Sequence, residues 1–146
     1  MSLESLRKLR AQAVETLMME LAQIARTLTQ SEECYRDIET QIQKEVVIHD
    51  QQSAQGLTIE AWLEWQGRMD SQQAALCRAR REINQAVEAW QHTKALLVEA
   101  SQESKLLDRV VDKRREAQRA EVGRQEQRTT DEAASRRYST RKESHL

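Results

Sequence analysis

Three histidines, two cysteines, three tryptophans and a scatter of paired carboxylates are the side chains here that could do chemistry. A zinc centre would need His, Cys or carboxylate ligands at close, regular spacing. His49, His92 and His145 stand far apart and none has such a partner nearby in the chain, so no metal or other cofactor is expected. His49 continues an apolar heptad line, and His92 is expected to face solvent. Cys34 and Cys77 could serve a thiol nucleophile only inside a cleft. They could also approach each other across a helical pair; free, half-buried thiols in a reducing compartment are the simpler expectation. The three glycines, Gly56, Gly67 and Gly123, are isolated, so there is no glycine-rich loop to hold a phosphate. Glu32-Glu33 and Asp131-Glu132 fall on helix surfaces, where water solvates them, whereas general acid–base work needs desolvated, fixed groups. The sequence is therefore read as non-enzymatic.

What remains is surface for binding. Trp62 and Trp65 lie just after a break in the helical pattern. Both could plug the end of a helical hairpin, or at least one could stand exposed as an anchor, because Trp is enriched in interface hot spots. Tyr35, Ile38, Ile42 and Ile48 approach the same end from the other helix and could complete a composite patch.

The elements that position these groups follow from composition and period. The 146 residues include no proline, no phenylalanine and 32% charged side chains. Turns are built mainly from Gly and Pro, so the chain has few of them. In the first half Val14, Leu21, Leu28, Tyr35 and Ile42 recur every seven residues. A second line, Leu3, Leu17, Ile24 and Ile38, is interrupted by Arg10 and Ser31. In the second half Trp62, Met69, Leu76, Ile83, Trp90, Leu97, Ser104 and Val111 keep the same spacing. Beside them runs a line of mainly small residues: Trp65, Gln72, Ala79, Ala86, Thr93, Ala100 and Leu107. Heptad seams of this kind bring two helices together.

The break, Gln51 to Thr58, contains the only glycine of the first 66 residues, and Thr58 is a good N-cap. The fold class expected is all-α. One hairpin spans 1–137, with helix one at about 3–49, a loop at about 50–57, helix two at about 58–135, and a disordered tail at 138–146. Two helices joined by a short loop fold back antiparallel. A turn near residue 54 sets residue 1 opposite residue 107, and everything beyond overhangs with no partner in the chain. Glu116 with Arg119, and Glu121 with Arg124, could support that overhang at helical spacing.

The net charge is −1, which argues against a general nucleic-acid binder, but it is uneven. Residues 105–146 carry 12 Lys+Arg and 8 Asp+Glu, leaving 11 and 16 for the rest. This skew fits either a solvated helix or a basic end that docks on an acidic partner. The first residues form neither a secretory signal nor a membrane span.

A family resemblance rests on three stretches. Arg124-Gln-Glu-Gln-Arg-Thr-Thr-Asp-Glu-Ala-Ala-Ser-Arg-Arg137 holds an acidic-Gln-basic triplet (Glu126, Gln127, Arg128) ahead of an Asp131-Glu132 pair and then Ala. The chain opens on spaced leucines and a base, Leu3, Leu6, Leu9 and Arg10. Trp62 to Leu76 begins the second helix with aromatic residues. In these stretches and in layout the chain resembles the type III secretion stalk proteins, the flagellar export protein FliJ and its injectisome relatives of the YscO type. The resemblance implies a stalk whose two termini enter the pore of a hexameric secretion ATPase, while its hairpin end reaches the cytoplasmic ring of the export gate. Arg124, Glu126, Gln127, Arg128, Asp131 and Glu132 would face the ATPase. Trp62, Trp65, Met69, Gln72 and Leu76, with Tyr35, Ile38 and Ile42, would face the gate. Escort of export chaperones is also implied. So are a monomeric state and a place at the cytoplasmic face of the inner membrane, held through protein contacts alone. A homo-oligomeric coiled-coil scaffold and a holdase-type chaperone are the alternatives.

Overall fold

The computed structural model describes residues 2–144; His145 lies outside them. They form two helices, α1 (Leu3–Gln55) and α2 (Ile59–Ser144), which pack against each other as an all-α hairpin. Each helix opens on a hydroxyl cap. The Ser5 amide donates to Ser2 Oγ at 3.2 Å, and the Ala61 amide donates to Thr58 Oγ1 at 3.2 Å. Such caps satisfy donors that a helix start leaves free. Glu4 and Glu60 in the first turns, and Arg141 and Lys142 in the last turn of α2, suit the helix dipole.

The connection is tighter than the sequence suggests. Only residues 56–58 lie between the two helices, and Gly56 adopts φ of 99°. That left-handed conformation costs a side-chain-bearing residue about 1–2 kcal/mol, so glycine ends α1 here. The Gly56 amide donates to the Ser53 carbonyl at 3.2 Å. Helix one thus ends at Gln55 rather than 49, and the loop expected at 50–57 shrinks. Gln51, Gln52, Ser53, Ala54 and Gln55 are polar or small and off the apolar line, so they look like loop in sequence. They stay helical because nothing before Gly56 forces the backbone to turn.

The later turn moves the register. A turn centred near 54 would set Arg7 against residue 101, whereas Arg7 meets Asp108, seven residues further along, at 3.3 Å. Seven residues is one heptad, so the same lines still face each other; only the point where pairing ends changes. The chain divides into two compact units. In the unit Ala13–Ala100 the deepest burial falls on the small-residue line: Ala79, Ala86 and Thr93 are buried. Small side chains there let large ones of the other helix approach. In the unit made of 2–12 and 101–144, Val111 is buried, beside Leu3. Arg7–Asp108, Arg10–Glu103 and Arg115–Glu4 link the two helices there.

From 112 to 144 every residue is exposed. The reason is in the pattern: after Val111 one heptad line reads Gln118, Gln125 and Glu132, and after Leu107 the other reads Arg114, Glu121 and Arg128. α2 nevertheless continues to Ser144, so the tail expected to be disordered from 138 is helical as far as it is described. The segment 112–144 is rich in Ala, Arg, Gln and Glu, the better helix formers, and contains no proline. Arg124 pairs with Glu121 at 3.4 Å as expected, while Glu116 and Arg119 form no ion pair among the described residues.

The loop glycine and the glycine inside α2 predict opposite effects. A Cβ at Gly56 or at Gly67 would meet nothing within 4 Å, so neither substitution clashes. Gly56→Ala should lower stability by about 1 kcal/mol through its positive φ, and Gly67→Ala should raise it by roughly 0.5–1 kcal/mol through helix propensity. Thermal melts followed by circular dichroism check both signs.

Candidate protein-interaction surfaces

The hairpin end separates the two tryptophans. Trp65 lies half-buried with its ring stacked on His49, at a centroid distance of 3.6 Å and an interplanar angle of 12°. About two turns further along α2, Gln72 Nε2 donates to Glu45 Oε1 at 3.0 Å. Trp65 is therefore a plug of the hairpin. Trp62 is 45% exposed, because the heptad line it begins has no apolar counterpart among Gln51, Gln52 and Gln55.

Other apolar side chains toward this end of the two helices are exposed as well. Ile59 and Leu63 follow the cap with 79% and 56% exposure, and Val47 and Ile48 are exposed near the end of α1. Ile59, Trp62 and Leu63 fall at i, i+3 and i+4, one strip of α2. A periodicity search passes over Ile59, Leu63 and Val47 because they lie off the seam. An apolar residue off the seam was the signal available.

Met69, Gln72, Leu76, Tyr35, Ile38 and Ile42 are half-buried along the seam itself. Tyr35 also receives the Arg80 guanidinium, 5.8 Å from its ring centre, an attractive cation–π arrangement. So Trp62, with Ile48, is the part of the composite patch most open to a partner. The same end holds four buried polar atoms with no protein partner: Glu45 Oε2, His49 Nδ1, Trp65 Nε1 and Gln72 Oε1. A buried polar group without a partner costs roughly 1–3 kcal/mol relative to a paired one.

The second surface is the overhang. Arg124, Glu126, Gln127, Arg128, Asp131 and Glu132 are all exposed on α2. At 100° per residue, Arg124, Gln127, Arg128 and Asp131 share an arc of about 100°, Glu132 flanks it, and Glu126 points to the opposite side. Gln127 Nε2 donates to Asp131 Oδ1 at 3.1 Å, which fixes two members of that arc. Glu126 instead offers its backbone carbonyl to Thr130 Oγ1 at 2.9 Å.

Cys34 and Cys77 are free but exposed rather than half-buried, since both lie off the heptad lines, and His92 is exposed as expected. Among the described residues no group of three or more His, Cys, Asp or Glu could hold a metal ion, and no helix is long and apolar enough to cross a membrane.

The family model of the flagellar FliJ protein matches residues 1–143. The chain belongs to that family. No curated protein and no solved structure matches it. The match runs through both helices and the overhang, so FliJ membership is carried by the whole layout, and it ties the chain to the flagellar and type III export machinery.

The two tryptophans should respond differently to truncation. Trp65→Ala should cost about 2 kcal/mol through lost ring contact, and Trp62→Ala less than about 0.5 kcal/mol, in urea melts. Equal costs would contradict the division into plug and exposed anchor.

Proposed function

We propose that this FliJ-family chain is the central stalk of a type III export apparatus. The overhang of α2, together with the first turns of α1, inserts into the pore of the hexameric export ATPase and promotes its assembly and activity. The hairpin end reaches the cytoplasmic ring of the export gate through Trp62, supported by Ile48, Ile59 and Leu63. Trp65, Met69, Gln72, Leu76, Tyr35, Ile38 and Ile42 hold that end in shape and become contacts where the hairpin opens. Export chaperones are further partners. The chain works as a monomer at the cytoplasmic face of the inner membrane, attached through protein contacts.

One observation carries this reading. From 112 to 144 the helix is intact yet every residue is exposed. Most helical stability in proteins comes from packing of one face, and this segment packs none. A segment that keeps strong helix propensity but has no apolar seam suits a polar enclosure supplied by another protein. The arc of Arg124, Gln127, Arg128 and Asp131, on which the resemblance to secretion stalks rests, lies midway along it.

The test is steady-state ATP hydrolysis by the purified cognate export ATPase, with the full chain and with a chain ending at residue 118. The full chain should raise the rate and shift the ATPase toward hexamers. The shortened chain should do neither, while its melting temperature stays within about 2 °C, because the deleted residues bury nothing. Equal stimulation by both chains would refute the role of the overhang. No stimulation by the folded full chain, together with a dimeric mass, would favour a self-assembling scaffold.

A further inference from the structure

Where the two helices are still paired, the exposed apolar side chains of the unit made of 2–12 and 101–144 gather on one edge. Leu9, Leu106 and Val110 are 49%, 59% and 52% exposed, and Leu6 is half-buried. The ion pairs between the helices locate that edge. Arg10 reaches Glu103, while Glu4 reaches Arg115 and Arg7 reaches Asp108. At 100° per residue, Leu106 and Val110 stand within about 60° of Glu103 and about 140–180° from Asp108 and Arg115. Leu6 and Leu9 stand within about 100° of Arg10 and about 140–160° from Glu4. All four therefore flank the Arg10–Glu103 side of the helix pair. The opposite edge carries Glu4, Lys8, Lys105, Asp108, Asp112 and Arg115 instead.

The strip of α2 on this edge is self-complementary. Glu103, Leu106, Val110 and Lys113 are spaced three, four and three residues apart, within an arc of about 80°. Turned end for end, the strip sets Leu106 on Val110 and Glu103 on Lys113. A two-fold contact between identical chains requires this, since each surface must fit itself. Lys113 forms no ion pair among the described residues, so its charge is unused within the chain.

We propose that this edge pairs two copies of the chain, antiparallel, through α2 around Leu106 and Val110. Leu6 and Leu9 wall the contact from α1. The charges favour a second copy over an unrelated apolar partner, because the strip carries both signs in mirrored places. The patch offers on the order of a few hundred Å², below the roughly 800 Å² per partner of a standard interface, so the pair forms only at high concentration. It leaves 119–144 uncovered. Resting on the stalk reading above, the pair is a resting form. It covers the first turns of α1 and the root of the overhang, which the working monomer inserts into the ATPase.

Sedimentation equilibrium of the full chain, from about 1 µM to about 300 µM, tests the pairing, because mass action reveals a weak dimer over such a range. The mean mass should rise from 17.0 kDa toward twice that. L106E/V110E should stay at 17.0 kDa with unchanged helicity, since both side chains are exposed. K113E sets a second acid against Glu103 and should weaken pairing about tenfold; E103K/K113E, which exchanges the two charges, should recover most of it. L63E, at the hairpin end, should pair as wild type does. A chain that stays at 17.0 kDa throughout would overturn the pairing and leave the stalk reading standing. If L106E/V110E then also lost ATPase stimulation, the patch would belong to the ATPase. Pairing that survives L106E/V110E, or that L63E abolishes, would place the contact elsewhere and overturn the proposal. Pairing as described, with no stimulation of the cognate ATPase at any dilution, would overturn the stalk reading and the resting role while upholding the contact.

Discussion

A helix of 53 residues cannot cover one of 86. The chain turns once, between Gln55 and Ile59, so the difference in length must emerge at one end as helix without a partner. Everything else follows from where that turn falls. Gly56, with its positive φ, and Thr58, as N-cap, define a three-residue connection, and the connection sets the register. The register decides that Val111 is the last buried residue of α2. The apolar lines stop at the same place, so the sequence of α2 and the length of α1 agree on where pairing ends. Such agreement between local pattern and tertiary pairing is what a sequence needs to specify one arrangement.

The two exposed regions differ in chemistry because they solve different problems. Near the loop, Ile59, Trp62 and Leu63 are exposed apolar side chains, and Glu45, His49, Trp65 and Gln72 form a polar layer between the helices. Exposed apolar groups of this kind commonly mark protein contacts. Along the overhang the exposed groups are charged or small, and the helix persists through propensity and local pairs such as Arg124–Glu121 and Gln127–Asp131. One region offers apolar contact area and the other offers charge, so they suit different partners.

Much of this was legible in the sequence. Val14 to Ile42 and Met69 to Val111 mark the seam by period alone, and Thr58 marks the second helix start. The small line of Ala79, Ala86 and Thr93 marked where burial between the helices is deepest in that unit. The loop was overestimated because Gln51 to Gln55 are off the apolar line, and period cannot distinguish exposed helix from loop. The tail was underestimated for the converse reason: Ser135 to Ser144 lacks an apolar face but also lacks any residue that breaks a helix. The roles of Trp62 and Trp65 were not separable, since both lie on heptad lines. Only the register shows that Trp65 meets His49 while Trp62 runs past the last apolar residue of α1.

Hydrogen exchange across the chain tests the central claim most directly, comparing the free protein with its complex with the cognate export ATPase. In the free protein, amides of 119–144 should exchange far faster than those near Ala79, Ala86 and Thr93, because a helix with no packed face opens readily. In the complex the same amides should become protected. Slow exchange of 119–144 in the free protein would mean that the overhang already has a partner, either its own chain or a second copy. Fast exchange that persists in the complex would mean that the ATPase does not enclose it.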